Sequence, residues 1–164
     1  MTDTTAKDLG LYARNFLATM NRRPRLLFVV TEDWYFVSHR MGLAIAAMQA
    51  GFDVAIATRV SAHGDVIHTA GLDIFPVDFN RSGLHPLQDL TTLRRLTEIY
   101  RIFRPDISHH VALKPVLYGS LAARLTSHTR VVNALGGLGY VFSSKSRRAR
   151  ILRSFVRPML GVAM

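Results

Sequence analysis

The chain has 164 residues, 49% of them apolar and 20% charged, a balance that fits a globular domain with its own core and excludes a disordered polypeptide. Lys and Arg number 21 against 11 acidic residues, so the formal charge of +10 favours anionic partners such as phosphates, nucleic acid or an acidic membrane surface. There is no cysteine, which excludes disulfides and thiolate metal sites. Early charges at Asp3, Lys7, Asp8 and Arg14 leave no apolar block of signal-peptide length, so no secretion signal is read. Runs such as 26–30 and 42–48 fall short of the roughly 20 apolar residues needed to span a bilayer, and any membrane contact is expected to be peripheral.

Residues 1–24 read as an appendage in which Leu9, Tyr12, Phe16 and Met20 recur at helical spacing before Pro24 ends it. The unbroken apolar run 26–30 predicts a parallel strand covered on both faces. Trp34, Val37, Met41, Ile45 and Met48 then follow one helical stripe, which predicts a single helix stopped by Gly51. A second strand is expected over 54–58, a short helix over 65–70 ending at Gly71, and a third strand over 72–77. In the following longer helix, Leu87, Leu90, Leu93, Leu96, Ile99 and Phe103 share a face, and Arg104-Pro105 closes it. A strand over 107–111, a helix over 116–125 and a strand over 130–134 complete the alternation. Strands alternating with helices predict an α/β fold with a right-handed, doubly wound, Rossmann-like parallel sheet over residues 25–142. The spatial order of the strands is inferred from that class.

Residues 143–164 differ in composition. Lys145, Arg147, Arg148, Arg150, Arg153 and Arg157 occur there without an acidic residue. On a helical wheel Ile151, Leu152, Phe155, Val156, Met159 and Leu160 hold one half, while the basic residues except Arg148 lie on or near the other. Such a basic amphipathic segment suits an anionic membrane surface; the alternative is a helix packed on its own domain or on a partner, and Pro158 interrupts it in either case.

Ligands of open α/β sheets bind beyond the carboxyl ends of the strands. The strands over 107–111 and 130–134 deliver His109, His110, Lys114 and the glycine-rich stretch Gly136-Gly137-Leu138-Gly139-Tyr140 to that edge. Adjacent strand residues face opposite ways, so only one of His109 and His110 is expected to line the site, and which one stays open. Lys114, opening the next helix, suits a phosphate or is an ordinary surface lysine. The turn after the first strand has no Gly-x-Gly-x-x-Gly and carries Glu32 and Asp33, which argues against a dinucleotide there; no Walker motif is present. No His-Glu-x-x-His pattern exists and His63, His68, His85 and His128 are scattered, so no metal is expected. His39, flanked by Ser38 and Arg40, is a possible base without a triad. Trp34, Tyr35 and Tyr140 are suited to stacking on a sugar or lipid tail, or to a core. Basic residues without aromatic interleaving or a recognition motif argue against nucleic acid.

The segments Glu32–Arg40, 50–54, 57–59, 104–107, Leu113-Lys114-Pro115-Val116-Leu117-Tyr118-Gly119-Ser120 and Val132-Asn133-Ala134-Leu135-Gly136-Gly137-Leu138-Gly139-Tyr140 together resemble bacterial family 4 glycosyltransferases of the two-Rossmann-domain GT-B type. The resemblance runs from Arg25 onward. It implies the N-terminal, acceptor-binding half of an enzyme that transfers a sugar with retention, without a bound metal, in a cleft between two domains. Many relatives extend membrane-linked chains for surface polysaccharide or lipopolysaccharide. The resemblance places Trp34, Tyr35, His39, Arg40, Lys114, Gly136, Gly137, Gly139 and Tyr140 at the acceptor or substrate, and His109 or His110 at the transferred sugar. His109 stands where the family often writes Asp-Val-Val-His, while Val111 replaces a second histidine found in many members.

The basic segment, with Lys145, Arg147, Arg150, Arg153, Phe155 and Arg157, resembles a membrane-docking helix. The implied location is the inner face of the bacterial cytoplasmic membrane, with a lipid-linked or glycan acceptor as partner. The family's donor-binding second domain has no counterpart in these 164 residues, so the polypeptide alone is expected to be inactive. A nucleotide sugar would complete it, with a separate donor-binding domain among the partners the resemblance implies. Two other readings are a stand-alone module that docks on anionic lipid and positions a catalytic partner, and an α/β enzyme that binds a phosphorylated small molecule through Lys114 and the glycine-rich loop.

Overall fold

A computed structural model describes residues 22–79, 86–126 and 129–135. The apolar runs become five strands: β1 (Arg25–Glu32), β2 (Asp53–Arg59), β3 (Asp73–Pro76), β4 (Ile107–Val111) and β5 (Arg130–Ala134). All neighbours pair in parallel, in the order β3-β2-β1-β4-β5. Chain direction reverses its build-out between β1 and β4, so the crevice where ligands of such sheets settle lies at the carboxyl ends of those two strands. The expected doubly wound parallel sheet is present.

Both faces of the sheet are covered, as the unbroken apolar runs require. On one face Leu27, Val29, Ala55 and Ala57 pack under α4 (Pro86–Phe103) and α5 (Ser120–Thr126), meeting Leu96, Ile99, Tyr100 and Ala122. On the other, Phe28, Val30, Val54 and Ile56 meet Phe36, Ala44 and Ile67 from α1 (Asp33–His39), α2 (Met41–Gln49) and α3 (Gly64–Thr69). At the amino edge Asp106 accepts hydrogen bonds from the Arg25 amide (2.8 Å) and from both terminal nitrogens of Arg22 (2.9 and 2.8 Å), which ties the entries of β1 and β4 together.

Three elements differ from the sequence reading. The single helix expected over 34–48 is two, because Arg40 leaves the helical region (φ −129°, ψ −17°) and turns the chain between α1 and α2. The expected stripe is not the buried face: Trp34 and Ile45, which belong to it, are exposed, while Phe36 and Ala44, which do not, are buried. In α4 the buried positions are Thr92, Leu96, Ile99 and Tyr100; Leu87 and Leu90, at 82% and 62% exposure, project to solvent beyond the reach of the sheet. The helix expected over 116–125 begins as a π-helical turn at Pro115–Gly119 and becomes α-helical only from Ser120. The appendage before residue 22, the glycine-rich stretch 136–140 and the basic segment 143–164 lie outside the described residues.

Gly51 and Gly71 end α2 and α3 as expected, at φ +96° and +81°. In each case the glycine amide and the amide after it turn back onto helix carbonyls: Gly51 to Met48 and Phe52 to Ala47, Gly71 to His68 and Leu72 to Ile67. A Cβ on Gly51 would meet nothing within 4 Å, so the cost of a side chain there is purely one of backbone conformation. Gly51→Ala is therefore expected to lower the unfolding free energy by about 1–2 kcal/mol in urea titrations, without changing the far-ultraviolet spectrum.

Candidate functional site

The crevice between β1 and β4 is shaped by an alternation of two histidines. His109 pairs in register with Phe28 and Val132, and its ring stacks on Phe28 with centroids 5.4 Å apart. His110 points to the opposite face. There the Tyr100 hydroxyl donates to Nε2 (2.7 Å), and Nδ1–H donates to the Asn133 side-chain carbonyl (2.9 Å), with the Ser120 hydroxyl 3.3 Å from the same nitrogen. Its ring is fully buried. Gly119 is the residue that makes room: a Cβ there would lie 2.8 Å from His110 Nε2. His110 thus joins α4, β4, α5 and β5 from inside the core, and its assignment as a catalytic group is corrected to a structural one, since neither nitrogen reaches the crevice.

Burial holds the His110 pKa down at about 4; the hydrogen bond to Asn133 opposes the shift and the neighbouring His109 adds slightly to it. The ring is therefore neutral in the folded protein at neutral pH. His109 is also shifted down, first by burial and then by the charge of Arg40. Unlike His110, it is only half buried, and its Nε2 has no hydrogen-bond partner among the described residues. Arg40 Nε is likewise buried and unpartnered among them. A neutral imidazole and a guanidinium nitrogen, both withheld from water and unpaired, are groups that a polar ligand would satisfy.

The wall beside them is held by Asp33, a carboxylate missed as a site feature in the sequence, where it reads only as a charge that repels phosphate. It is fully buried at the start of α1 and accepts from the Ser61 amide (2.6 Å), the Ser61 hydroxyl (2.7 Å), the His63 amide (3.0 Å) and the Trp34 amide (2.7 Å). Burial alone would raise its pKa; the donations from Ser61, His63 and Trp34 outweigh that and hold it below the ordinary carboxylate range. Its charge is spent on joining the loop after β1 to the loop after β2.

Trp34, Tyr35 and His39 share α1, next to Arg40. Trp34 is exposed and set edge-on to Tyr35, whose ring stacks on that of His39 with centroids 4.3 Å apart. Lys114 is not brought to this group. Its ammonium donates to Asp89 of α4 at 2.9 Å, both side chains being largely buried, so the reading of Lys114 as a cation free for a phosphate is corrected. Burial, and then the same carboxylate, push the Tyr118 phenol up to about 12. Asp89 stands 25 residues before Lys114, and no local spacing signals the pair. Gly136, Gly137, Gly139 and Tyr140, and the docking candidates Lys145, Arg147, Arg150, Arg153, Phe155 and Arg157, fall outside the described residues. Among the described residues no helix is long and apolar enough to cross a membrane.

The profile of the family described as "Glycosyl transferase 4-like" matches residues 25–163. No curated protein matches the chain. Among solved structures it is similar to a glycosyltransferase of Rickettsia africae (15% identity, TM-score 0.57, covering 78% of this chain and 35% of that one). It is also similar to MurG of Acinetobacter baumannii (14%, 0.56, 67% and 34%) and to a UDP-N-acetylglucosamine 2-epimerase (15%, 0.59, 87% and 40%). At such identities these likenesses establish the fold, and the chain spans between 34% and 40% of the length of these three structures.

Two measurements test the interior of the site. Gly119→Ala is expected to drive the His110 ring from its three partners and to cost about 1–3 kcal/mol of stability by overpacking, read as a lower urea midpoint; wild-type stability would contradict the close approach. For pH, the unfolded chain takes up a proton on His110 below 6.5 that the native chain refuses until about 4. Stability is then full above 6.5 and falls as pH drops toward about 4, by about 3 kcal/mol. Urea midpoints that stay level across that window would contradict a buried neutral ring.

Proposed function

The chain belongs to the glycosyl transferase 4-like family, and from that premise we propose that its sheet is the acceptor-binding half of a retaining glycosyltransferase. The observation that carries this reading is the pair His109 Nε2 and Arg40 Nε at the crevice between β1 and β4, both without a hydrogen-bond partner among the described residues. In the proposed reaction the bond from the anomeric carbon to the nucleotide diphosphate breaks and one to an acceptor hydroxyl forms. The hydroxyl proton leaves with the departing diphosphate. His109 contributes a hydrogen bond to a sugar hydroxyl in its neutral form, and its depressed pKa keeps it neutral where a cation would be paired instead with the diphosphate. Arg40 supplies positive charge at the same crevice, and Trp34 an exposed aromatic face beside it.

The proposed acceptor is a membrane-linked glycan or polyprenyl phosphate used in surface polysaccharide or lipopolysaccharide synthesis. The formal charge of +10 and the basic segment with Lys145 to Arg157 support approach to an anionic membrane surface, at the inner face of the cytoplasmic membrane. Donor binding and the charge stabilisation of the leaving diphosphate belong to a second, donor-binding half. Residues 1–164 alone are expected to bind acceptor without transferring sugar.

Vesicles of anionic lipid, with or without a polyprenyl-diphosphate-linked sugar, provide the test. The chain should bind the sugar-bearing vesicles more tightly, and His109→Ala should remove about tenfold of that difference, the value of one hydrogen bond to a neutral sugar group at the upper end of the usual range. Deletion of residues 143–164 should abolish vesicle binding while leaving binding to the detergent-solubilised acceptor. Equal affinity for the two kinds of vesicle would overturn the acceptor reading.

A further inference from the structure

A second cleft opens at the same edge of the sheet, two strands over from the crevice, where β2 and β3 end against the first half of α4. Its volume is about 700 Å³, and neither the family match nor the reading of His109 assigns it a role. Arg59 reaches it from the end of β2, Asp78 from the segment after β3, and Gln88, Thr91 and Arg95 from α4. Phe79, buried beneath, and Pro76, exposed, form its apolar floor and side.

The charge pattern decides which chemistry this cleft suits. A phosphate needs a wall made of donors alone. Here Asp78 lies in the wall, Arg59 has Glu32 at 3.8 Å, and Arg95 has Glu98 at 3.5 Å, so most of the positive charge is already balanced. Arg95 is further fixed by donation from Nε to the Pro76 carbonyl at 3.3 Å. What remains is an open cleft in which planar donors (two guanidinium groups), a carboxylate acceptor and an amide alternate around an apolar surface. Adjacent hydroxyls of a sugar ring each donate and accept, and their C–H faces seek apolar surface, so this arrangement matches a neutral polyhydroxylated chain.

We propose that the cleft bounded by Arg59, Asp78, Gln88 and Arg95 is a distal subsite for the non-reacting sugars of an oligosaccharide acceptor. This rests on the acceptor-binding reading above and adds its direction and extent. Neighbouring strands lie about 4.8 Å apart, so the span from β4 across β1 to the β2–β3 boundary is roughly 12 Å, a distance covered by a glycan of a few units lying along the carboxyl edge. Arg59 links the two regions, since its partner Glu32 is the last residue of β1 and precedes the Asp33 that walls the crevice.

The test is binding of the full chain to an immobilised panel of neutral bacterial polysaccharide fragments, from single sugars to pentasaccharides, with inorganic phosphate as competitor. Arg95→Ala and Asp78→Asn are the variants, because both side chains are at the surface and neither carries a buried partner; matching thermal melts establish that each is folded. Expected are binding that requires more than one sugar, losses of about tenfold or more in each variant, and indifference to phosphate. Fragments bound with wild-type affinity by both variants but weakly by His109→Ala would overturn the distal subsite and leave the crevice reading standing. Loss in the two cleft variants with no effect of His109→Ala would do the reverse. Competition by phosphate would make the cleft an anion site and overturn the proposal, and a wild-type chain that retains no fragment would end both readings.

Discussion

The registration of β4 depends on one buried imidazole. With both nitrogens engaged, one by the Tyr100 hydroxyl and the other by Asn133 beside Ser120, His110 cannot leave its face of the sheet without stranding polar groups inside the core. Because side chains alternate along a strand, that anchor fixes His109 on the other face, against Phe28 and toward the crevice. A slip of one residue would exchange their roles and close the site. The histidine locked inside the core is what aims its neighbour at the crevice.

The walls of the crevice follow the same logic of buried polar groups used as joints. Asp33 holds the loop after β2 to the loop after β1 through three backbone amides and one hydroxyl, and Asp89 holds Lys114 and Tyr118 across to α4. Each joint withdraws a charge from solvent and from any ligand, whereas Arg40 Nε and His109 Nε2 are among the buried polar atoms left without a partner among the described residues. Rigid support and unsatisfied function are thus segregated on neighbouring residues, a division that lets the core be tightly packed while the edge stays receptive.

Much of the fold was legible in the sequence for physical reasons. Runs such as Leu26 to Val30 can only be strands covered twice, and Gly51 and Gly71 stop helices because few other residues accept their backbone angles. The break at Arg40 was not legible, since no proline interrupts the stripe from Trp34 to Met48 and its one glycine, Gly42, lies past the break inside α2; Phe36 and Ala44, on either side of the turn, pack onto one sheet face. The alternation of His109 and His110 could be read locally, but not its sense, which depends on Tyr100 and Asn133 arriving from other elements. Asn133 after the two valines of β5, and Tyr100 among the apolar residues of α4, are the only local signals of a buried polar partner that the sequence offers. The pairing of Lys114 with Asp89 carried no signal of that kind.

The π-helical turn at Pro115–Gly119 spreads one residue more over a turn than an α-helix would. Every residue after it is therefore rotated by about 100° from the phase that an unbroken α-helix would give it. With Gly119 at the end of the turn against the His110 ring, that rotation is what lets Ser120 face the same ring while Ala122 and Ala123 sink into the core. The length of this turn is consequently a ruler: homologous chains can change residues within it, but one that lost a single position there would present a different set of side chains to the sheet, and would need a new partner for its buried histidine.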